Sequence, residues 1–118
     1  MITKQDIDAF NIVKVTPMEY SYWVEEKIIT EGDTRLIENV LGMCGEAGEV
    51  AEKIKKYMRD GTKVSQQDII KELGDVLFYT TALSNYFYSN LGEVMQANME
   101  KLDSRYKRGV IKGSGDNR

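Results

Sequence analysis

The chain has no histidine among its 118 residues. That excludes a Ser-His-Asp triad, a Cys-His pair, an HExxH zinc site and a Glu-x-x-His di-iron bundle. It has one cysteine, Cys44, so no internal disulfide can form, and a lone thiol of this kind is expected to pack as a small hydrophobe. No apolar run approaches the roughly 20 residues of a bilayer span. The opening MITKQDIDAFNIVK is broken by Lys4, Asp6 and Asp8 and lacks the apolar centre of a secretion signal. The cytoplasm is therefore the expected compartment, without membrane contact. Any chemistry is left to carboxylates, lysines, tyrosines or a metal held by oxygen.

What is present is a globular composition, 42% hydrophobic and 30% charged, sized for a single domain over 1–118. The net charge of −3 is unevenly placed. Residues 101–118 hold six Lys or Arg against Asp103 and Asp116, a balance of +4 that leaves −7 on the rest. An acidic body with a short basic tail fits a metal and a phosphate held together, or a solvated end, better than a nucleic-acid surface.

Helical periodicity dominates. Thr16-Pro17-Met18-Glu19 reads as a threonine cap with proline at the first helical position and a capping box, opening a helix through Trp23 and Ile28 to about Glu31-Gly32. A second helix is expected from Asp33-Thr34 to Asp60-Gly61, about 40 Å long. Its apolar stripe runs through Ile37, Val40, Leu41, Cys44, Ala47, Ala51, Ile54 and Met58. A third is expected from Ser65, with Asp68 three residues on, to Asn90-Leu91-Gly92, where Gly92 suits a left-handed cap. A shorter fourth spans Gly92 or Glu93 to about Lys107. Only a weak strand-like run, near Phe10 to Val15, interrupts this pattern. The expectation is an all-α, four-helix bundle-like fold with two long central helices: a lead-in over 1–15, a helical core over 16–107 and a basic tail over 108–118.

Within the second helix, GMCGEAGEVAEKIKK carries Gly42, Gly45 and Gly48, each costing about 1 kcal/mol against alanine in a helix interior. Threaded among them, Glu46 and Glu49 stand one turn apart, and Glu72 and Asp75 repeat that spacing on the third helix. Two such pairs on antiparallel neighbours bring four carboxylates to one place, and like charges there require compensation. A hard divalent cation such as Mg²⁺ supplies it and completes its shell with water and phosphate oxygens. The competing reading is a solvated face with i,i+4 lysine partners. Glu52, beside Lys53, Lys55 and Lys56, is assigned to that face. For the two pairs, the apolar setting ELGDVLFYTTAL and the adjacent Gly45, Gly48 and Gly74 favour a site, with glycine giving clearance. Tyr79, one turn past Asp75, is placed as an aromatic platform.

GEAGEVAE and ELGDVL, with 22 residues between Glu49 and Glu72, resemble the ExxE…ExxD signature of the MazG-like all-α nucleoside triphosphate pyrophosphohydrolases. The resemblance covers about residues 34–118, and the tail NMEKLDSRYKRGVIKGSGDNR is similar to that of small single-domain, phage-type members. It implies Glu46, Glu49, Glu72 and Asp75 as ligands of Mg²⁺, with Mn²⁺ an alternative, and as the catalytic carboxylates. It further implies Tyr79 beside the base or sugar, Asn98 and Lys101 in N-x-x-K positions facing substrate, and Arg105 one turn later. Lys56 stands where some deoxycytidine-preferring relatives carry tryptophan, so base preference does not transfer. Trp23 is open between a core aromatic and a stacking residue, and GSGDNR between a loose end and an anion-binding turn.

The activity so implied is cleavage of a nucleoside triphosphate between the α and β phosphorus atoms, giving monophosphate and pyrophosphate, as housekeeping of deoxy or noncanonical nucleotides. Phosphoribosyl-ATP pyrophosphohydrolysis and a non-catalytic helical oligomer or adaptor are the alternatives. A homo-dimer or homo-tetramer is expected, because Tyr86, Phe87, Tyr88 and Leu91 make the end of the third helix apolar on several faces.

Overall fold

The computed structural model describes residues 1–9, 11 and 13–118. Its helices are α1 (Lys4–Asp8), α2 (Pro17–Lys27), α3 (Gly32–Asp60), α4 (Gln66–Tyr86) and α5 (Leu91–Lys107), and no strand occurs among the described residues. The all-α architecture with two long central helices is therefore present, preceded by a short helix that periodicity did not reveal. Thr3 starts that helix with a reciprocal capping box to Asp6. The strand-like run falls partly on Phe10 and Ile12, which lie outside the described residues, while 13–15 has no regular structure.

Local chemistry sets the helix starts. The Thr16 hydroxyl accepts from the Glu19 amide at 3.1 Å, and Ser65 accepts from the Asp68 amide at 3.0 Å. Asn90 does the same for Glu93 at 2.9 Å. The expected end of the third helix is corrected: α4 stops at Tyr86, Tyr88 takes the left-handed conformation (φ 61°), and Gly92 lies inside α5. A tertiary contact explains the shift. The Leu91 amide donates to the buried Ser21 hydroxyl of α2 at 3.0 Å, which fixes the first turn of α5 five residues after α4 ends.

Among the described residues α3 lies along α4 and meets α2 through the Arg35–Glu25 pair, while α2 and α5 pack on each other and on α4. The covered residues of α3, including Leu36, Asn39, Met43, Glu46, Val50 and Lys53, recur at alternating three- and four-residue steps. Ile69, Glu72, Val76, Tyr79, Leu83 and Tyr86 do the same on α4. This is the knobs-into-holes spacing of two helices lying side by side. The apolar stripe through Ile37, Leu41, Ile54 and Met58 lies on the outer face of α3, beyond the α4 seam, and is 58%, 65%, 45% and 74% exposed, with Leu41 also lining a hollow shared with Phe78 and Tyr79. Cys44 shares that outer face and is exposed, contrary to the expectation of burial. The buried apolar side chains among the described residues are Val24, Ala82 and Leu91.

Polar ties complete the bundle. Arg35 of α3 donates to both Glu25 carboxylate oxygens at 2.6 and 2.7 Å and to the Ala82 carbonyl at 3.2 Å, joining three helices. The tail turns back over the end of α5. Arg118 donates to the carbonyls of Val110, Ile111 and Gly115, and Arg105 donates to those of Gly115 and Asp116.

Candidate metal centre

Glu46 and Glu72 occupy seam positions where a two-helix interface ordinarily carries apolar residues. With Asp75, one turn beyond Glu72, they bring one carboxylate oxygen each within 4.8 Å of one another. Glu46 and Glu72 are half-buried and Asp75 is exposed, so the trio opens to solvent on one side. Partial burial, then the negative charges of Asp75, Glu72 and Glu49, raise the Glu46 carboxyl above the ordinary glutamate range. Three carboxylates whose mutual repulsion is felt at one of them form a hard, all-oxygen donor set, which suits a divalent cation. Glu49, expected among the ligands, stands on the exposed edge of α3 outside this trio, near enough to act on Glu46 electrostatically.

Sequence reasoning missed Lys53. It was grouped with the lysines around Glu52, but its ammonium instead reaches across to α4 and lies 3.5 Å from Glu72 Oε1. Lys55 and Lys56 do pair with Glu52, at 2.9 and 3.8 Å. Lys53 falls seven residues after Glu46, and that seam spacing is the signal that separates it from its neighbours.

Tyr79 sits against α3, and Gly42 makes room for it: a Cβ there would lie 2.5 Å from the Tyr79 ring. Gly45, Gly48 and Gly74 meet nothing within 4 Å, so clearance is used at Gly42 rather than beside the carboxylates. Phe78 packs edge-on to Tyr79 and to Trp23. Trp23 is half-exposed at this cluster and carries Lys27 over its ring at 5.8 Å. Beside Tyr79 opens a hollow of about 300 Å³, also lined by Phe78, Lys27, Ile28 and Asn39. Asn39 is buried there, and its amide nitrogen has no protein partner. A larger hollow of about 650 Å³ lies around Arg35 and Tyr86, away from the carboxylates, with its arginine already paired to Glu25.

The α5 residues are engaged elsewhere. Lys101 lies 3.6 Å from Asp116, and Arg105, only 4% exposed, is held by the tail, while Asn98 is exposed. These two cations hold the Asp116 carboxyl below its ordinary range, Lys101 most strongly. Among the described residues α5 does not pack on α3, so the structure groups the acids on one seam and these cations at the tail.

The stretch that carries this acid-lined seam lies within residues 35–110, which match the family model of the MazG nucleotide pyrophosphohydrolase domain. The chain belongs to that family. It is 46% identical over 95 residues to the Gene 37 protein of Mycobacterium phage L5, covering 74% of this chain and 83% of that one. It is 31% identical over 71 residues to the Uncharacterized protein YvdC of Bacillus subtilis (strain 168), covering 52% and 67%. No solved structure matches the chain. Among the described residues no helix is long and apolar enough to cross a membrane.

Proposed function

We propose that the chain is a Mg²⁺-dependent nucleoside triphosphate pyrophosphohydrolase, cleaving between the α and β phosphates of deoxy or noncanonical nucleotides in the cytoplasm. The observation that carries this reading is the convergence of Glu46, Glu72 and Asp75 from two helices within 4.8 Å, in a chain of the MazG family. Glu46, Glu72 and Asp75 hold the metal, for which Mn²⁺ can substitute. When bound, a divalent ion would neutralise phosphate charge and acidify water, so that a carboxylate can take the water's proton in a chain without histidine. Glu49, exposed at the edge of the trio, is the carboxylate left to accept the proton of the attacking water. Tyr79 and the hollow beside it receive the base and sugar, with the Asn39 amide as an unsatisfied donor in its wall. Asn98, exposed on α5, contacts the phosphates with Lys101 and Arg105 once the tail that holds those two cations through Gly115 and Asp116 yields its place.

A second copy of the chain covers the outer face of α3, making a homo-dimer or homo-tetramer. Support comes from the small buried core and from the exposed stripe of Ile37, Leu41 and Met58.

Metal binding and turnover separate the roles. Glu72→Gln and Asp75→Asn lose Mn²⁺ binding and pyrophosphate release together. Glu49→Gln keeps Mn²⁺ and loses at least a hundredfold in rate, within the range usual for a missing general base. Activity on phosphoribosyl-ATP alone would select the alternative substrate, and Mg²⁺ binding without turnover of any triphosphate would select the non-catalytic reading.

A further inference from the structure

Why a lysine should turn into the acid seam is a question of charge and place. Lys55 and Lys56 stay on the outer face of α3 with Glu52, whereas Lys53 leaves that face and sets its ammonium 3.5 Å from Glu72. Its side chain is 34% exposed and that of Glu72 18%, so the pair is partly withdrawn from water rather than a freely solvated contact. Glu72 also belongs to the trio. The ammonium therefore acts on the carboxylate of one of the residues that a metal would use. Glu46, Glu72, Asp75 and Glu49 together carry four negative charges, of which one divalent ion cancels two. Lys53 supplies a third positive charge from within the chain, at the α4 end of the same seam. A second divalent ion on this side would have to share Glu72 with a fixed cation a few ångströms away, where like charges repel strongly in a partly buried setting.

We propose that Lys53 is a tethered cation standing in the place of a second divalent ion, and that it holds the centre at one metal per chain. This rests on the metal centre assigned under the proposed function. Lys53 is thus a positioning residue: it touches Glu72 rather than the reacting phosphate. Removing its charge while keeping its stem, as in Lys53→Met, frees Glu72 and leaves two uncancelled negative charges beside the first ion. A second ion then enters. Lys53→Arg keeps the charge and keeps the count at one.

The test is the number of Mn²⁺ ions bound per chain, counted from the free-ion electron paramagnetic resonance signal during titration with the metal alone. Circular dichroism melting checks that each variant is folded. One ion in the wild type and in Lys53→Arg, and two in Lys53→Met, are expected. Lys53→Gln gives the same doubling without an apolar replacement and serves if the methionine variant does not fold. Two ions in the wild type, or one in Lys53→Met and Lys53→Gln, would overturn the inference while leaving the metal centre intact. No Mn²⁺ in the wild type would overturn the metal centre and the role of Lys53 with it.

Discussion

Gly42 and Gly45 lie nearly one turn apart on α3, yet only Gly42 has a neighbour in the space a side chain would fill. The Tyr79 ring lies where a Cβ would go, at 2.5 Å, and a ring held in a helix seam cannot swing aside as the end of a lysine can. Gly42→Ala therefore overpacks the seam by about 1–3 kcal/mol, against which better helix propensity returns about 1 kcal/mol. Gly45→Ala meets open space and keeps only the propensity gain. Urea melts of the two variants should move in opposite directions, and a stabilised Gly42→Ala would show that Tyr79 does not rest on α3. Read from sequence, all three glycines of GMCGEAGEVAEKIKK looked alike. What distinguishes Gly42 is a side chain 37 residues further on, which no local pattern contains.

Between elements, the Thr16 and Ser65 caps and the one-turn spacing of Glu72 and Asp75 were legible because each depends on neighbours within one turn. The facing of α3 was not. This helix carries two stripes at helical period, one through Leu36, Met43, Glu46 and Val50 and one through Ile37, Leu41, Ile54 and Met58. The more apolar stripe is the one on the outer face, beyond the α4 seam. Periodicity shows that a face is apolar but cannot say whether the same subunit covers it. Arg35 escaped notice for a similar reason, since its partners Glu25 and Ala82 lie on two other helices. Its bidentate bond, with a smaller contribution from Asn85, holds the Glu25 carboxyl below the ordinary value of 4.5. A depressed folded pKa gives stability that is present above the unfolded value and lost as pH falls through the folded one. Wild-type melting temperature should thus drop below about pH 4.5, and Glu25→Gln should be less stable at pH 7 but flatter across that acid range. An equally steep acid limb in Glu25→Gln would assign the loss to other carboxylates.

For the molecule as a whole, three buried apolar side chains among the described residues are few for a chain of 118, and a 29-residue helix covered on one side leaves much of its surface to water. A second copy against the outer face of α3 would bury Ile37, Leu41 and Met58, and a stable pairing requires roughly 1,000 Å² or more. Leu41→Glu places a charge in the middle of that stripe and should convert the proposed dimer or tetramer to monomer in sedimentation velocity. A monomeric wild type at tens of micromolar would leave the stripe without its proposed partner.

The central claim is that the acids of α3 and α4 form a metal centre for α,β-cleavage, and the identity of the first phosphorus product tests it most directly. A panel of deoxy, ribo and modified nucleoside triphosphates with Mg²⁺, followed by ³¹P NMR, should give pyrophosphate and nucleoside monophosphate with the wild type and neither with Glu72→Gln. Orthophosphate as the first product, or equal pyrophosphate release by Glu72→Gln, would contradict it.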